Sequence, residues 1–550
     1  MLTYTPPESR PIAKTHEQPW LLLLMAFAWL WPGVFSHDLW NPAEPALFAA
    51  VDALRNGASP WVANVLGQPD FHISPVYLWV AAALQNLLSP WITDAYSATR
   101  CASVLFTVIG LTNCGFAGFN FLGRHHGRSV VLILIGCIGL LPMTHFLNTL
   151  SVDFAALGLL LNGFSLIHRR VIFASLLLGL GWALLSLSSG FALPLVLMAL
   201  ALLLPLHPQW RFKRYYIGLL AAFILVVPLM LVYPLALYHL QPADFSLWLN
   251  RYALGAFGGL YHFQTAFHLP YYLKNLLWFA LPAWPLAVWT LTRTPLHSQR
   301  WSVLAVAWIV VVLALLAVTP RTFQDYLVWL LPPMALLGAA QLDGLRRGAA
   351  AFINWFGIMT FGLCAAFLWV GFYAMNYGWP SKLAERAHYF SPYYVPETDI
   401  MPMIVAILFT PLWLWAITRK NIKGRQAVTN WAAGVTLIWA LMMTLFLPWL
   451  DAAKSYAPVV RQMEAALPPE LAQQLTDGTA CISIASADRR AMLAWTEYSR
   501  LKLHTDDTAC RYRLTEQSKT SAAPPGWITL WQGARPRNKV EGFALLQQAD

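Results

Sequence analysis

The chain has 550 residues, of which 58% are hydrophobic and 11% charged, with a formal net charge of +11. That charged fraction is less than half the ~25% of soluble domains, which excludes an ordinary soluble enzyme of this length. Apolar runs recur through the first 450 residues, many near the ~20 needed to cross a bilayer core, and describe a polytopic helical membrane protein.

In chain order, apolar runs lie near 20–36, 101–122, 129–146, 154–167, 171–187, 190–206 and 215–238, then 270–291, 301–318, 326–341, 350–375, 400–418 and 428–449. No small-residue cleavage site follows the first run, so it reads as a span rather than a cleaved signal. VYLWVAAALQNLL (Val76 to Leu88) is too short for a full crossing and reads as an interfacial helix. With about thirteen spans the basic clusters all fall on the side of the N-terminus. They are Arg10 with Lys14, Arg124–Arg128, His168–Arg170, Arg211–Arg214, Thr292–Arg300, Leu345–Gly348 and Arg419–Arg425. This pattern predicts a cytoplasmic N-terminus and an outer C-terminus, and gives the positive charge a topological cause rather than a nucleic-acid one. The first outer loop then runs from about 37 to 100.

The expected organisation is a membrane domain over 1–450 and a soluble outer domain over 451–550. Within the latter, SYAPVVRQMEAALPPELAQQL has helical patterning, whereas CISIAS and WITLWQG read as strands, giving a small α/β domain. Cys481 and Cys510 in that domain are expected to pair if it faces an oxidising compartment. Cys101, Cys114, Cys137 and Cys364 lie in apolar runs and read as small core residues. No internal repeat of the inverted transporter kind is visible.

The polar groups that could carry chemistry collect on the outer side. Asp38 and Glu44 follow the first span in SHDLWNPAEPALFAAVDALRNG (Ser36 to Gly57), and Asp153 precedes the fourth. His72, Arg100, His268, Lys274, Arg321 and Tyr326 occupy other outer ends. A carboxylate can activate an acceptor, cations can hold a lipid phosphate, and apolar helices can wall a lipid tail. Asp38 and Glu44 read equally as ordinary interfacial acids, and Arg100 as a headgroup anchor. Lys274 has a snorkelling role as its alternative, and His268 a helix-capping one. Asp153 between two apolar runs is costly unless it lines a cavity. His37 and His72 near Asp38 raise a divalent metal as an alternative, without ligand spacing to support it; no other cofactor is implied.

The order of these segments resembles the polyprenyl-phosphate-dependent glycosyltransferases of the GT-C fold, in particular the lipid A aminoarabinose transferases and protein O-mannosyltransferases. LWNPAEPALFAAVDALRNG is similar to their first-loop Trp-x-Pro-Asp-Glu motif and the helix after it, and FHISPVYLW (Phe71 to Trp79) to their Phe-Glu-Lys-Pro-Pro-Leu-Tyr-Tyr-Trp segment. GLGWALLSLSSGFALPL, HLPYYLKNLLWFALPAWPLA and PRTFQDYLVWLLP resemble later motifs, the last their Lys/Arg-Tyr-Leu-Pro turn. The resemblance covers roughly 20 to 340. It implies an inner-membrane enzyme that moves a sugar from undecaprenyl phosphate to a lipid A, other glycolipid or protein acceptor at the periplasmic face, in one inverting displacement. It implies Asp38, Glu44 and Asp153 as catalytic groups and the cations above with Tyr326 as substrate-binding ones.

Three departures stand against it. The family's principal first-loop Asp is Ala43, its loop Lys is Ile73 with His72 before it, and the Lys of its Leu-Thr-Lys-Gly step is Ser189. Either Asp38 or Glu44 takes over the missing acid, or the chain is an inactive relative acting as a scaffold; a lipid-linked sugar flippase is a further alternative. The missing acid leans toward an already anionic acceptor such as a phosphate, which needs little base catalysis.

Overall fold

The computed structural model describes residues 19–40, 43–295, 299–397, 399–418, 424–506, 510–517, 523–538 and 541–549. Arg10 and Lys14, residues 296–298 and residues 419–423 of the basic clusters lie outside the described residues.

The first helix, α1 (Pro19–Leu30), leads into the long stretch before α4, which folds as α2 (Glu44–Arg55), a hairpin of β1 (Ala63–Val65) and β2 (Gln68–Asp70), and α3 (Pro75–Leu88). α2 starts with Glu44 and Pro45 and ends with Arg55, an arrangement that suits the helix dipole, and buries Leu47, Phe48 and Val51. α3 opens on Ser74, whose hydroxyl accepts from Tyr77 N at 3.4 Å, followed by Pro75. The bundle continues through α4 (Ala95–Leu122), α5 (Arg124–Ile135), α6 (Leu141–His145), α7 (Leu150–Leu166), α8 (Val171–Ser189), α9 (Ala192–Leu203) and α10 (Lys213–Leu240). Then come α11 (Pro242–Arg251), α12 (Leu269–Phe279), α13 (Ala283–Arg293), α14 (Arg300–Ala317), α15 (Leu331–Ala340) and α16 (Arg347–Tyr377). α17 (Ser381–Phe390), α18 (Ile400–Ile417), α19 (Gly424–Leu445) and α20 (Leu447–Lys454) complete it.

Among the described residues seven helices, α4, α8, α10, α14, α16, α18 and α19, are long and apolar enough to cross a membrane, and α5 with Ile138–His145, which contains α6, makes an eighth if that pair, bent by 72°, is one span. The chain is therefore a multi-pass membrane protein. The other five runs expected as spans are short or broken. Residues 20–36 give a 12-residue helix that stops before Pro32 and Gly33, and 270–291 splits into α12 and α13 around Pro282. Residues 326–341 begin as a 3-10 turn (Gln324–Leu330) before α15. α7 and α9 are apolar but shorter than a crossing. Hydropathy reports the apolar stretch and not the breaks inside it. α4 and α7 pack backbone to backbone: a Cβ on Gly158 would come within 2.7 Å of the Gly110 carbonyl oxygen, the close approach small residues permit between membrane helices. Cys114 and Cys137 are buried as expected, but Cys364 is exposed, on a face of α16 that also carries exposed Leu363 and Phe367. In a membrane that face meets lipid.

Beyond α20 come α21 (Ala457–Ala466), α22 (Pro469–Asp477), β3 (Ile482–Ile484), α23 (Arg489–Tyr498), β4 (Leu503–Thr505), β5 (Tyr512–Glu516), β6 (Trp527–Gly533) and β7 (Phe543–Gln548). The five strands form one sheet in the order β4-β3-β5-β7-β6, parallel from β4 to β5 and antiparallel from β5 to β6. Met463 of α21 and Trp495 of α23 pack on it with Phe543 and Leu545. Cys481 and Cys510, at the starts of β3 and β5, are joined in a disulfide with Cα atoms 5.2 Å apart.

Candidate active site

The first loop is fixed to the bundle by a buried ion pair. Glu44 and Arg100 are fully enclosed, with Arg100 Nε donating to Glu44 Oε1 at 2.9 Å. The other Glu44 contacts come from Trp40 N at 2.7 Å and Leu147 N at 2.9 Å, while Arg100 donates to the carbonyls of His37 (2.9 Å) and Asp38 (2.7 Å). Burial alone would raise the Glu44 carboxyl, but the guanidinium charge and these donors outweigh it and hold it below the ordinary carboxylate range. Every polar atom of the pair faces protein. Its geometry is that of a brace tying the loop to α4 and to the turn before α7, and neither residue lines the adjoining cavity.

That cavity, of about 390 Å³, opens between the start of α2, the stretch Asp70–Ile73, the start of α7, the end of α8, and the 3-10 turn before α15. Ala43, at the position where the family resemblance places its acid, lines it, as do Ile73 and Ser189 at the two lysine positions. Two carboxylates line it as well, Asp70 and Asp325. Asp70 is engaged: its side chain accepts from His72 N at 3.0 Å and pairs with Arg489 at 2.7 Å. Asp325 has one hydrogen-bonding partner among the described residues, Asn148 Nδ2 at 3.3 Å.

Asp153 lies in the first turn of α7, fully buried behind the cavity wall. Its Oδ2 accepts from the Ser189 hydroxyl and, at 2.7 Å, from Trp329 Nε1, and both donors line the cavity. Trp329 stacks on Tyr326 with ring centroids 4.6 Å apart. Asp153 thus shapes the wall from behind. Its Oδ1 has no partner among the described residues, the kind of buried unsatisfied group that calls for a functional explanation.

A second cavity of about 570 Å³ adjoins the first through His72, Tyr252, Gly255, Ala256, Phe323 and Tyr326. It is basic: Arg251, Arg321 and His262 line it along with His72, and no carboxylate does. Arg251 ends α11, and the loop that follows it is clamped to the end of α8. Phe191 N donates to Ala253 O at 2.9 Å, and Gly255, at φ +64°, passes so close that a Cβ there would lie 1.8 Å from the Ser189 carbonyl oxygen. The segment bearing Arg321 is pinned by Tyr272, whose hydroxyl bonds Thr319 Oγ1 at 2.9 Å and accepts from Phe323 N at 3.4 Å.

The structure therefore brings His72, Arg321 and Tyr326 together with Ala43 and Ser189, and sets other sequence candidates elsewhere. Asp38 was expected at the same mouth, but it lies against a separate cleft beside Asp451, Tyr393 and Arg461. Its amide donates to Asp451 Oδ1 at 3.3 Å, because the chain turns away after Arg100 captures its carbonyl. His268 and Lys274 line neither cavity. His37 turns both ring nitrogens to carbonyls, Asp38 O at 2.8 Å and Gly33 O at 2.9 Å, which leaves neither to ligate a metal. Among the described residues no three His, Cys, Asp or Glu side chains are grouped to hold one.

Sequence reasoning missed Arg251, His262 and Asp325. Arg251 and His262 sit between Gln241 and His268, a segment expected on the outer side, where a cation runs against the positive-inside preference. Asp325 adjoins the Tyr326 already singled out.

Comparison with solved structures gives the fold its place. ArnT from Cupriavidus metallidurans matches in its apo state with a TM-score of 0.62 and in its undecaprenyl phosphate-bound state with 0.59. Each match is at 14% identity over 96% of this chain and 97% of the other. The Archaeoglobus fulgidus oligosaccharyltransferase aligns at a TM-score of 0.40 and 11% identity, over 90% of this chain and 65% of its own. No family model and no curated protein matches the sequence. At such identity the likeness is one of fold, and the chain adopts the ArnT-like GT-C architecture expected from its motif order.

Proposed function

We propose that the protein is an inner-membrane glycosyltransferase that takes a sugar from a polyprenyl phosphate, undecaprenyl phosphate in a bacterium, and passes it to a glycolipid or protein acceptor on the periplasmic side. The observation that carries this reading is the pair of adjoining cavities, one lined by two arginines and two histidines, the other by carboxylate, serine and aromatic groups. A lipid-linked phosphate needs fixed cations, and arginine suits a phosphate oxygen pair better than lysine does. The acceptor then meets the sugar where Phe323 and Tyr326 line both cavities. That the ArnT of the same fold is known with undecaprenyl phosphate bound supports the choice of lipid. The positive-inside pattern supports the orientation. No step of the displacement calls for a metal or another cofactor.

The test is binding of undecaprenyl phosphate to the purified full-length protein in detergent. Arg251→Ala combined with Arg321→Ala is expected to weaken it at least tenfold, about 1.4 kcal/mol, while Lys274→Ala leaves it unchanged. Equal binding by the arginine double variant would contradict the assignment of the basic cavity.

A further inference from the structure

We propose that Asp325 is the catalytic carboxylate of this chain, taking over from the opposite wall the place left by Ala43, and that the acceptor group is a neutral hydroxyl. The proposal rests on the transfer reaction above and concerns which group drives it. Ala43 and Asp325 line the same cavity, one from the start of α2 and the other from the turn before α15. Among the described residues, the competing carboxylates are either paired or set outside the cavity lining. Glu44 is locked to Arg100, Asp70 to Arg489, and Asp153 lies behind Ser189 and Trp329. Asp38 belongs to another cleft. Among the described carboxylates, Asp325 alone combines a cavity-lining position with a single weak hydrogen bond, from Asn148. It also stands four residues from Arg321, so base and phosphate grip sit on one short segment pinned by Tyr272.

Burial pushes the Asp325 carboxyl above the ordinary carboxylate range, with the Asn148 donor pulling it part of the way back. A raised carboxyl is a better proton acceptor. The same anionic wall disfavours a phosphate acceptor and favours a hydroxyl, reversing the inclination drawn from the loss of the first-loop acid. In the step, the acceptor O–H proton passes to an Asp325 carboxylate oxygen and the acceptor oxygen forms a bond to the anomeric carbon. The bond from that carbon to the phosphate oxygen breaks. Its electron pair leaves on the polyprenyl phosphate, whose extra negative charge faces Arg251 and Arg321.

The test measures transfer from radiolabelled undecaprenyl-phosphate sugars to a crude envelope lipid extract, with undecaprenyl phosphate affinity measured alongside. Asp325→Asn keeps the shape and the Asn148 contact. It is expected to lower kcat by roughly 10²-fold or more, with undecaprenyl phosphate bound as in the wild type. The wild-type kcat should fall as pH drops through the Asp325 pKa, because the protonated acid cannot accept a proton; that acid limb should vanish in Asp325→Asn. Ala43→Asp placed in the Asp325→Asn background should recover at least about tenfold of the loss, which a merely structural role would not allow. Wild-type kcat in Asp325→Asn, or an unchanged acid limb, would overturn the assignment and leave the transferase reading standing. No label moved by the wild type from any donor would overturn that reading itself.

Discussion

At the scale of single residues, carboxylates near one another have unlike duties set by what surrounds them. Glu44 has all its contacts inside protein, so its value is mechanical. Removing one partner from a buried pair leaves the other charge uncompensated, which costs about 3–5 kcal/mol. Glu44→Ala should therefore lower the thermal midpoint sharply, more than Asp325→Asn, in detergent melts of the two variants. Its folded carboxyl is held low, so its contribution is complete above the ordinary carboxylate range and is lost as pH falls through the lower folded value. At this scale the sequence was only half legible. It picked out Asp38, Glu44 and Asp153 but not Asp325, and the sorting of Glu44 to structure and Asp38 to another cleft depends on Arg100, more than fifty residues from either, reaching back to the loop. Nothing in local spacing reports such a contact. Ala43 and Ser189, by contrast, could be placed from their neighbours, and both do line the cavity.

At the scale of elements, the cationic cavity depends on how two outer segments are held. Arg251, the last residue of α11, is held there by the chain that follows it, which packs against Ser189 and Gly190, and Gly255 is the residue that lets the backbones touch. Its positive φ adds to the requirement, since side-chain-bearing residues rarely adopt that conformation. Gly255→Ala should displace the loop after Arg251 and weaken undecaprenyl phosphate binding several-fold, while the melting temperature of the bundle changes little. Binding as tight as wild type would show that Arg251 is not positioned this way. The sequence made the helices visible through their apolar runs and two of the five C-terminal strands, β3 and β6, through CISIAS and WITLWQG. It did not show that 270–291 breaks at Pro282 or that 324–330 is a 3-10 turn. Both breaks are short-range departures inside continuous apolar stretches, where hydropathy has no contrast to register.

At the scale of the whole molecule, the C-terminal segment from α20 onward and the stretch between α1 and α4 are joined by direct contacts. Trp40 Nε1 donates to Asp451 at 2.7 Å, Tyr96 donates to Glu497 at 2.5 Å, and Arg489 pairs with the Asp70 that lines the cavity. Leu493 of α23 packs into the cluster formed by α2 and α3. Burial, with the neighbouring Asp38 charge adding to it, raises the Asp451 carboxyl to about 7 although Trp40 donates to it. The fold class was legible from composition and from the order of short motifs, because each marks an outer helix end that the architecture needs. The chemistry was less legible, because the cavity draws its polar groups from loops more than two hundred residues apart.

The most direct measurement of the central claim is sugar transfer by the purified full-length protein, reconstituted in lipid with radiolabelled undecaprenyl-phosphate sugars and a crude envelope lipid extract. The account predicts a new labelled product from at least one donor, with release of undecaprenyl phosphate. Tight binding of undecaprenyl phosphate with no labelled product from any donor would contradict it, and would assign the chain to the scaffold or flippase readings instead.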